Sequence, residues 1–161
     1  MFARHTPCLS ITPVSFFVGF CVFLLLPRVS IAQPTVKYAL GLKPHQKNQD
    51  IDYDIPSGES ITRATVKMEK RGDVTAWVVR DDRGQVLRVF ADTNGDRVVD
   101  QWSFFKNGLE VYRDIDSDFN AKADEARWFN TAGSRWGFDR DEDGVLDAWK
   151  MISAEEVTLE I

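Results

Sequence analysis

The sequence predicts an all-β fold, an antiparallel β-meander of repeated hairpins whose units are joined by acidic loops. Three observations carry this reading. Segments rich in Trp, Tyr, Phe and Val recur along residues 73–152, and these residue types suit a pleated, half-buried surface. A glycine-bearing turn divides each repeat into two strands, and an aspartate-rich loop follows the second strand. The unit is about 24 residues long, a period that marks a chain built by stacking one supersecondary motif.

Residues 1–32 read as a secretory signal peptide. Arg4 and His5 precede an apolar run over residues 14–26, and Pro27 and the small-x-small triplet Ser30, Ile31, Ala32 follow, which is the order of a charged start, apolar stretch and cleavage site. The run falls short of the roughly 20 residues needed to cross a bilayer, so no stable membrane span is expected after cleavage near Ala32. The mature chain is expected to be exported to the periplasm, the cell surface or the extracellular medium. Phe20 stands where a lipoprotein signal wants a small residue, which argues against a lipid anchor on Cys21.

Both cysteines, Cys8 and Cys21, lie in that leader, so the chain from Gln33 onward has neither a disulfide nor a thiolate metal site. A small exported domain without disulfides needs another staple, and a bound metal is one of the usual ones. The net charge is −5, and because the leader holds Arg4 and Arg28 and no acidic residue, the mature part is more acidic still. That balance excludes nucleic acid as a partner, since phosphate binding needs clustered positive charge.

Residues 33–60 form an irregular, turn-rich lead-in, with one strand expected over the apolar stretch 36–42. The hairpin domain spans 61–152. Ala64, Val66 and Met68 alternate with Thr65, Lys67 and Glu69, the period of a strand with one buried face, and Arg71 and Gly72 make the turn after it. In the first unit, strands around Trp77 and Phe90 flank a turn at Asp82, Arg83 and Gly84. In the second, strands around Trp102 and Tyr112 flank Asn107 and Gly108, a pair that tolerates the positive φ of a two-residue hairpin turn. In the third, Trp128 and Trp136 lie either side of a turn at Ala132 and Gly133, and a half unit around Trp149 follows. The count is about seven or eight strands, as short strands at regular spacing with turn signals imply.

The C-terminal segment, 153–161, reads differently. Ser153 and Glu156 form a capping box with Ile152 and Val157 as its hydrophobic staple, which predicts the start of a short helix. Too few residues follow for an isolated helix, which needs about 12 or more, so the chain reads as a shortened relative of something longer.

The chemistry concentrates in three loops: loop A (92–100), loop B (116–124) and loop C (139–147). Each places side-chain oxygens at positions 1, 3, 5 and 9: Asp92, Asn94, Asp96 and Asp100; Asp116, Asp118, Asn120 and Asp124; Asp139, Asp141, Asp143 and Asp147. Calcium takes six to eight oxygens at about 2.3–2.6 Å, and a curled nine-residue loop supplies them from alternate positions together with a carbonyl at position 7. The carbonyl candidates are those of Val98, Lys122 and Val145. Asp, Asn and Gly also populate ordinary turns, but recurrence of the spacing in phase with the repeat favours a cation.

These loops resemble the calcium loops of EF-hands, dockerins, thrombospondin type 3 repeats and integrin-type β-propeller blades. The resemblance covers only residues 92–147, in three pieces, and implies that the oxygens just named are calcium ligands. Position 12 departs from the EF-hand pattern, being Ser103, Arg127 and Lys150 instead of a bidentate glutamate, and strands flank the loops. Only loop C has glycine at position 6, Gly144; Arg97 and Ala121 occupy that place in the others, at a cost in backbone strain and so in expected affinity. The arrangement from Gln33 onward also resembles the N-terminal module of large, uncharacterised exported proteins of planctomycete-type bacteria.

No enzyme is expected. The aspartates are accounted for by the loops, and His45, the one histidine after the leader, is expected to be a solvated side chain in a polar segment. The expectation is a calcium-binding structural or interaction module that meets a cell-surface protein or polysaccharide. The alternative is a carbohydrate-binding protein with exposed tryptophans, its metal loops only structural.

Overall fold

The computed structural model describes residues 33–46, 51–153 and 157–160. Nine antiparallel strands form one sheet in sequential order: β1 (Thr65–Arg71), β2 (Val74–Arg80), β3 (Val86–Asp92), β4 (Gln101–Lys106), β5 (Leu109–Ile115), β6 (Glu125–Asn130), β7 (Gly133–Phe138), β8 (Ala148–Ser153) and β9 (Val157–Glu160). The all-β meander therefore holds. The leader lies outside the described residues, and among those described no helix is long and apolar enough to cross a membrane.

The turns follow the glycine signals. Arg71 pairs with Val74 across a two-residue turn in which Gly72 has φ 63°. Lys106 pairs with Leu109, and both Asn107 (φ 51°) and Gly108 (φ 76°) are left-handed, as the right-handed twist of a tight hairpin demands. In the third unit the turn sits one residue earlier than expected, at Thr131 and Ala132, because Gly133 already pairs with Asn130. Gly133 belongs to the ladder for a packing reason: a Cβ there would lie 2.1 Å from the Ile152 carbonyl oxygen.

Two expectations are corrected. The stretch 36–42 is not a strand but helix α1 (Val36–Gly41), N-capped by the Thr35 hydroxyl, which accepts from Tyr38 N at 3.2 Å. Val36, Ala39 and Leu40 recur at helical spacing and pack together on the sheet, so the period was 3.6 and not 2. A second short helix, α2 (Glu59–Arg63), precedes β1. At the other end the expected helix is strand β9, in which Val157 pairs with Ile152. Pairing with β8 satisfies backbone groups along a preformed edge, which a helix of so few residues does not match.

The lead-in covers one face of the sheet. Val36, Ala39, Leu40 and Leu42 pack on Val66, Trp77, Val79, Phe90 and Trp102, and further along Ile51 and Tyr53 pack with Phe104, Tyr112, Ala126 and Trp128. The Arg88 guanidinium, wholly buried, lies 4.4 Å from the Tyr53 ring centroid and donates to Asp54 O at 2.8 Å. Burial pulls its pKa down to about 10 against the opposing influence of Tyr53 and Asp54. Asp54 in turn bonds Phe105 O and the Asn107 N–H, so the lead-in is stitched to the β4–β5 turn.

Strict alternation of hairpins puts the β3–β4, β5–β6 and β7–β8 connections at the same end of the sheet. These connections are loops A, B and C. Successive loops are two strands apart, a spacing of about 10 Å.

Candidate metal centre

The three loops share most of their internal bonding, and differ in that the position 1 carboxylate accepts from position 4 in loop A but from position 5 in loops B and C. The position 1 carboxylate accepts backbone N–H groups from across the loop: Asp92 from Gly95 (2.6 Å) and Arg97 (3.0 Å), Asp116 from Asn120 (3.1 Å) and Ala121 (2.7 Å), Asp139 from Asp143 (3.2 Å) and Gly144 (2.9 Å). At position 3, Asn94, Asp118 and Asp141 accept from the N–H of position 5. At position 5, Asp96, Asn120 and Asp143 accept from the N–H groups of Val98, Lys122 and Val145. Short polar side chains that bond backbone two residues on are what curls each loop inward.

The curl also sets the backbone. Position 4 is left-handed in each loop (Gly95 φ 84°, Phe119 φ 63°, Glu142 φ 57°), and so is position 6 (Arg97 φ 77°, Ala121 φ 72°, Gly144 φ 90°). Loop C is thus unstrained at position 6, whereas Arg97 and Ala121 adopt a conformation that costs a non-glycine residue about 1 kcal/mol.

Among the described residues, one set of three acidic side chains brings its oxygens within 4.8 Å of one another: Asp139, Asp141 and Asp147 of loop C. The equivalent Asp116, Asp118 and Asp124 of loop B do not converge as closely, and position 2 supplies the reason. Asp124 accepts from Ser117 N at one oxygen (2.7 Å) and from Ser117 Oγ at the other (2.6 Å), whereas in loop A Thr93 N and Oγ1 (2.7 and 2.8 Å) and Asn94 N all donate to the single oxygen Oδ2 of Asp100. In loop C that place is Arg140, which offers Asp147 only its N–H at 2.7 Å. One oxygen of Asp147 therefore remains for the loop centre. Asp143, the remaining aspartate of loop C, is not in the convergent set and accepts from Val145 N.

Asp139 is 2% exposed. Burial first, then repulsion from Asp143 and Asp141, raises its pKa above the ordinary 3.8, even though the Gly144 and Asp143 N–H groups work the other way. A divalent cation among these oxygens would remove that repulsion, and a hard ion suits an all-oxygen donor set.

The loops also touch one another, which the spacing did not reveal. Lys122 Nζ lies 2.7 Å from Glu142 Oε2, and Asn120 Nδ2 donates to the other oxygen of Glu142. The ion pair raises the Lys122 pKa and lowers that of Glu142.

His45 is not simply a solvated side chain. Its ring Nδ1 lies 3.1 Å from Asp114 Oδ2 and its backbone N–H donates to the same oxygen at 2.9 Å, while Tyr112 Oη donates to Asp114 Oδ1. Asp114 is wholly buried. Burial first and the Asp114 charge second push the Tyr112 phenol far above its usual range, so it stays protonated as a donor. This group anchors the lead-in to β5, and its only sequence signal is an aspartate at a core-facing strand position.

The five tryptophans are all half-buried. Trp77 and Trp102 lie under the lead-in. Arg135 lies over both Trp128 and Trp149, at 4.8 and 4.4 Å, and Trp136 has Arg127 at 3.9 Å and Lys150 at 4.9 Å. Compared with protein-family models, curated proteins and solved structures, the chain matches none of them.

Proposed function

We propose that this chain is an exported calcium-binding structural or interaction module without a catalytic role, in which loop C is the principal ion site and loops A and B are weaker ones. The observation that carries the reading is the convergence of Asp139, Asp141 and Asp147 oxygens within 4.8 Å in a loop whose bonding recurs in two others. Charge supports it as well: a protein of net −5 concentrates acidic groups where repulsion must be offset. Residues 1–32, with the composition of a cleavable leader, support export. An extracellular setting supplies calcium in the concentration range that loops lacking the position 12 glutamate require.

The ion would tie the β7–β8 connection closed and stiffen the end of the sheet against its partner, a cell-surface protein or polysaccharide. The cations stacked on Trp128, Trp136 and Trp149 leave the aromatic-platform alternative with less support. The experiment is thermal melting of the chain from Gln33 onward with calcium and with chelator. At a hundredfold excess over the dissociation constant, calcium should add about 2.7 kcal/mol, and the double change Asp139→Ala, Asp143→Ala should remove most of the shift. An unchanged melting temperature in calcium would sink the proposal.

A further inference from the structure

The geometry of loop A points to a modification site: Asn94, followed by Gly95, is set up for self-catalysed deamidation. The reaction of an Asn-Gly pair begins with the glycine nitrogen attacking the asparagine side-chain carbonyl. Two neighbours of this pair assist it. Asp92 Oδ1 accepts the Gly95 N–H at 2.6 Å, the place of a general base on the attacking nitrogen. Asp96 N donates to Asn94 Oδ1 at 2.9 Å, where it stabilises the negative charge that develops on that oxygen. Glycine at position 95 has no Cβ to obstruct the approach, and both residues are exposed to water.

The step balances without any cofactor. The Gly95 N–H proton passes to Asp92, the Gly95 N–Asn94 Cγ bond forms, and the Cγ–Nδ2 bond breaks. Ammonia leaves with the proton returned by the carboxyl group. The five-membered imide that remains is opened by water at either carbonyl, which gives an aspartyl or an isoaspartyl residue at position 94. The first product adds a carboxylate at position 3 of loop A, as in loops B and C; the second lengthens the backbone of the loop by one carbon.

The chain carries its own control. Asn107 and Gly108 are the same pair of residue types, but they sit in a two-residue turn locked between paired Lys106 and Leu109. There the carboxylate of Asp54 accepts the N–H of Asn107 itself, at 2.7 Å, and not that of the following glycine.

The test uses the full chain, folded, in chelator at neutral pH, so that it does not depend on any metal. Peptide mass spectrometry follows the gain of one mass unit at each site over days, with a parallel sample in denaturant. The expected result is conversion several-fold faster at Asn94 than at Asn107 in the folded protein, with the two rates converging in denaturant. Asp92→Asn should bring Asn94 down toward the Asn107 rate. Equal rates at the two sites in the folded wild type, or a faster Asn107, would overturn the inference whether or not the variant folds.

Discussion

The backbone N–H of Asp139 donates to the carbonyl oxygen of Asp124 at 2.8 Å, which joins the first position of loop C to the last position of loop B. Asp116 N makes the same bond to Asp100 O, also at 2.8 Å, so the three loops form one chain of linked backbone along the end of the sheet. A cation that stiffens loop C therefore acts on its neighbour through the Asp139 amide. Amide hydrogen exchange should slow on calcium addition at Asp139 and Gly144, and to a smaller extent in loop B at Ala121 and Lys122, by about tenfold at the first pair. Slowing confined to residues 139–147 would mean that the link carries no coupling.

Gly133 and Gly95 both have positive φ, yet they should respond differently to alanine. At Gly133 the added Cβ would meet Ile152 O at 2.1 Å and Ser153 Cα at 3.0 Å, backbone atoms of β8 that move only if the ladder opens. Gly133→Ala should cost about 3 kcal/mol or more and free β8 and β9 from the sheet. At Gly95 the Cβ meets nothing within 4 Å, so only backbone strain remains, about 1–2 kcal/mol. Denaturant melts of the two variants make the comparison, and a cost at Gly95 equal to that at Gly133 would refute the steric account.

How much of this was legible in the sequence depends on whether the signal was local. The Asn107-Gly108 turn and the alternating strands are written in residue types that act within a few positions, so the meander and the loop positions could be read. Helix α1 was missed because a short apolar run looks the same at either period until Thr35 is recognised as its cap. Strand β9 was missed for the opposite reason: the capping box at Ser153 is a local signal that loses to a preformed sheet edge supplied by distant residues. In the loops, the repeated spacing singles out Asp139 and its companions, but the unequal convergence of loops B and C turns on Ser117 and Arg140, residues between the spaced oxygens. His45 and Asp114 are 69 residues apart, and nothing local announces that contact.

Ser117 should limit loop B. Its hydroxyl and N–H engage both oxygens of Asp124, whereas Arg140 engages one oxygen of Asp147. Ser117→Ala frees Asp124 Oδ2 to turn inward, and should tighten calcium binding at loop B by several-fold, about 1 kcal/mol, the net worth of one such hydrogen bond. Arg140→Ser should have the reverse effect on loop C. Calcium titration by calorimetry distinguishes the two sites once Asp139→Ala has silenced loop C; an unaltered affinity in Ser117→Ala would show that position 2 does not matter.

Asp139 and Asp81 should give stability slopes of opposite sign against pH. Asp139 has a folded pKa raised above 3.8, first by burial and then by the Asp143 and Asp141 charges. Its contribution is intact below the unfolded pKa and is lost as pH rises toward and through the folded value, because the folded form resists ionisation. Asp81 is shifted the other way. Burial alone would raise it, but the Gln85 N–H and the Arg83 side chain and N–H outweigh that and hold it below 3.8. Oδ1 accepts those two N–H groups at 2.8 and 2.9 Å, and Oδ2 accepts Arg83 Nε at 3.1 Å. Its contribution is present above the unfolded pKa and is lost as pH falls through the folded value. In chelator, then, the stability of wild type relative to Asp139→Asn should decline as pH rises from about 3 to 7, while that relative to Asp81→Asn should grow over the same range. Calcium bound as proposed should reverse the first slope, since an ion held by the ionised carboxylates would take the place of the proton. Parallel slopes for the two variants in chelator, or an Asp139 slope that calcium leaves unchanged, would remove the distinction between a repelled carboxylate in loop C and a bonded one in a turn.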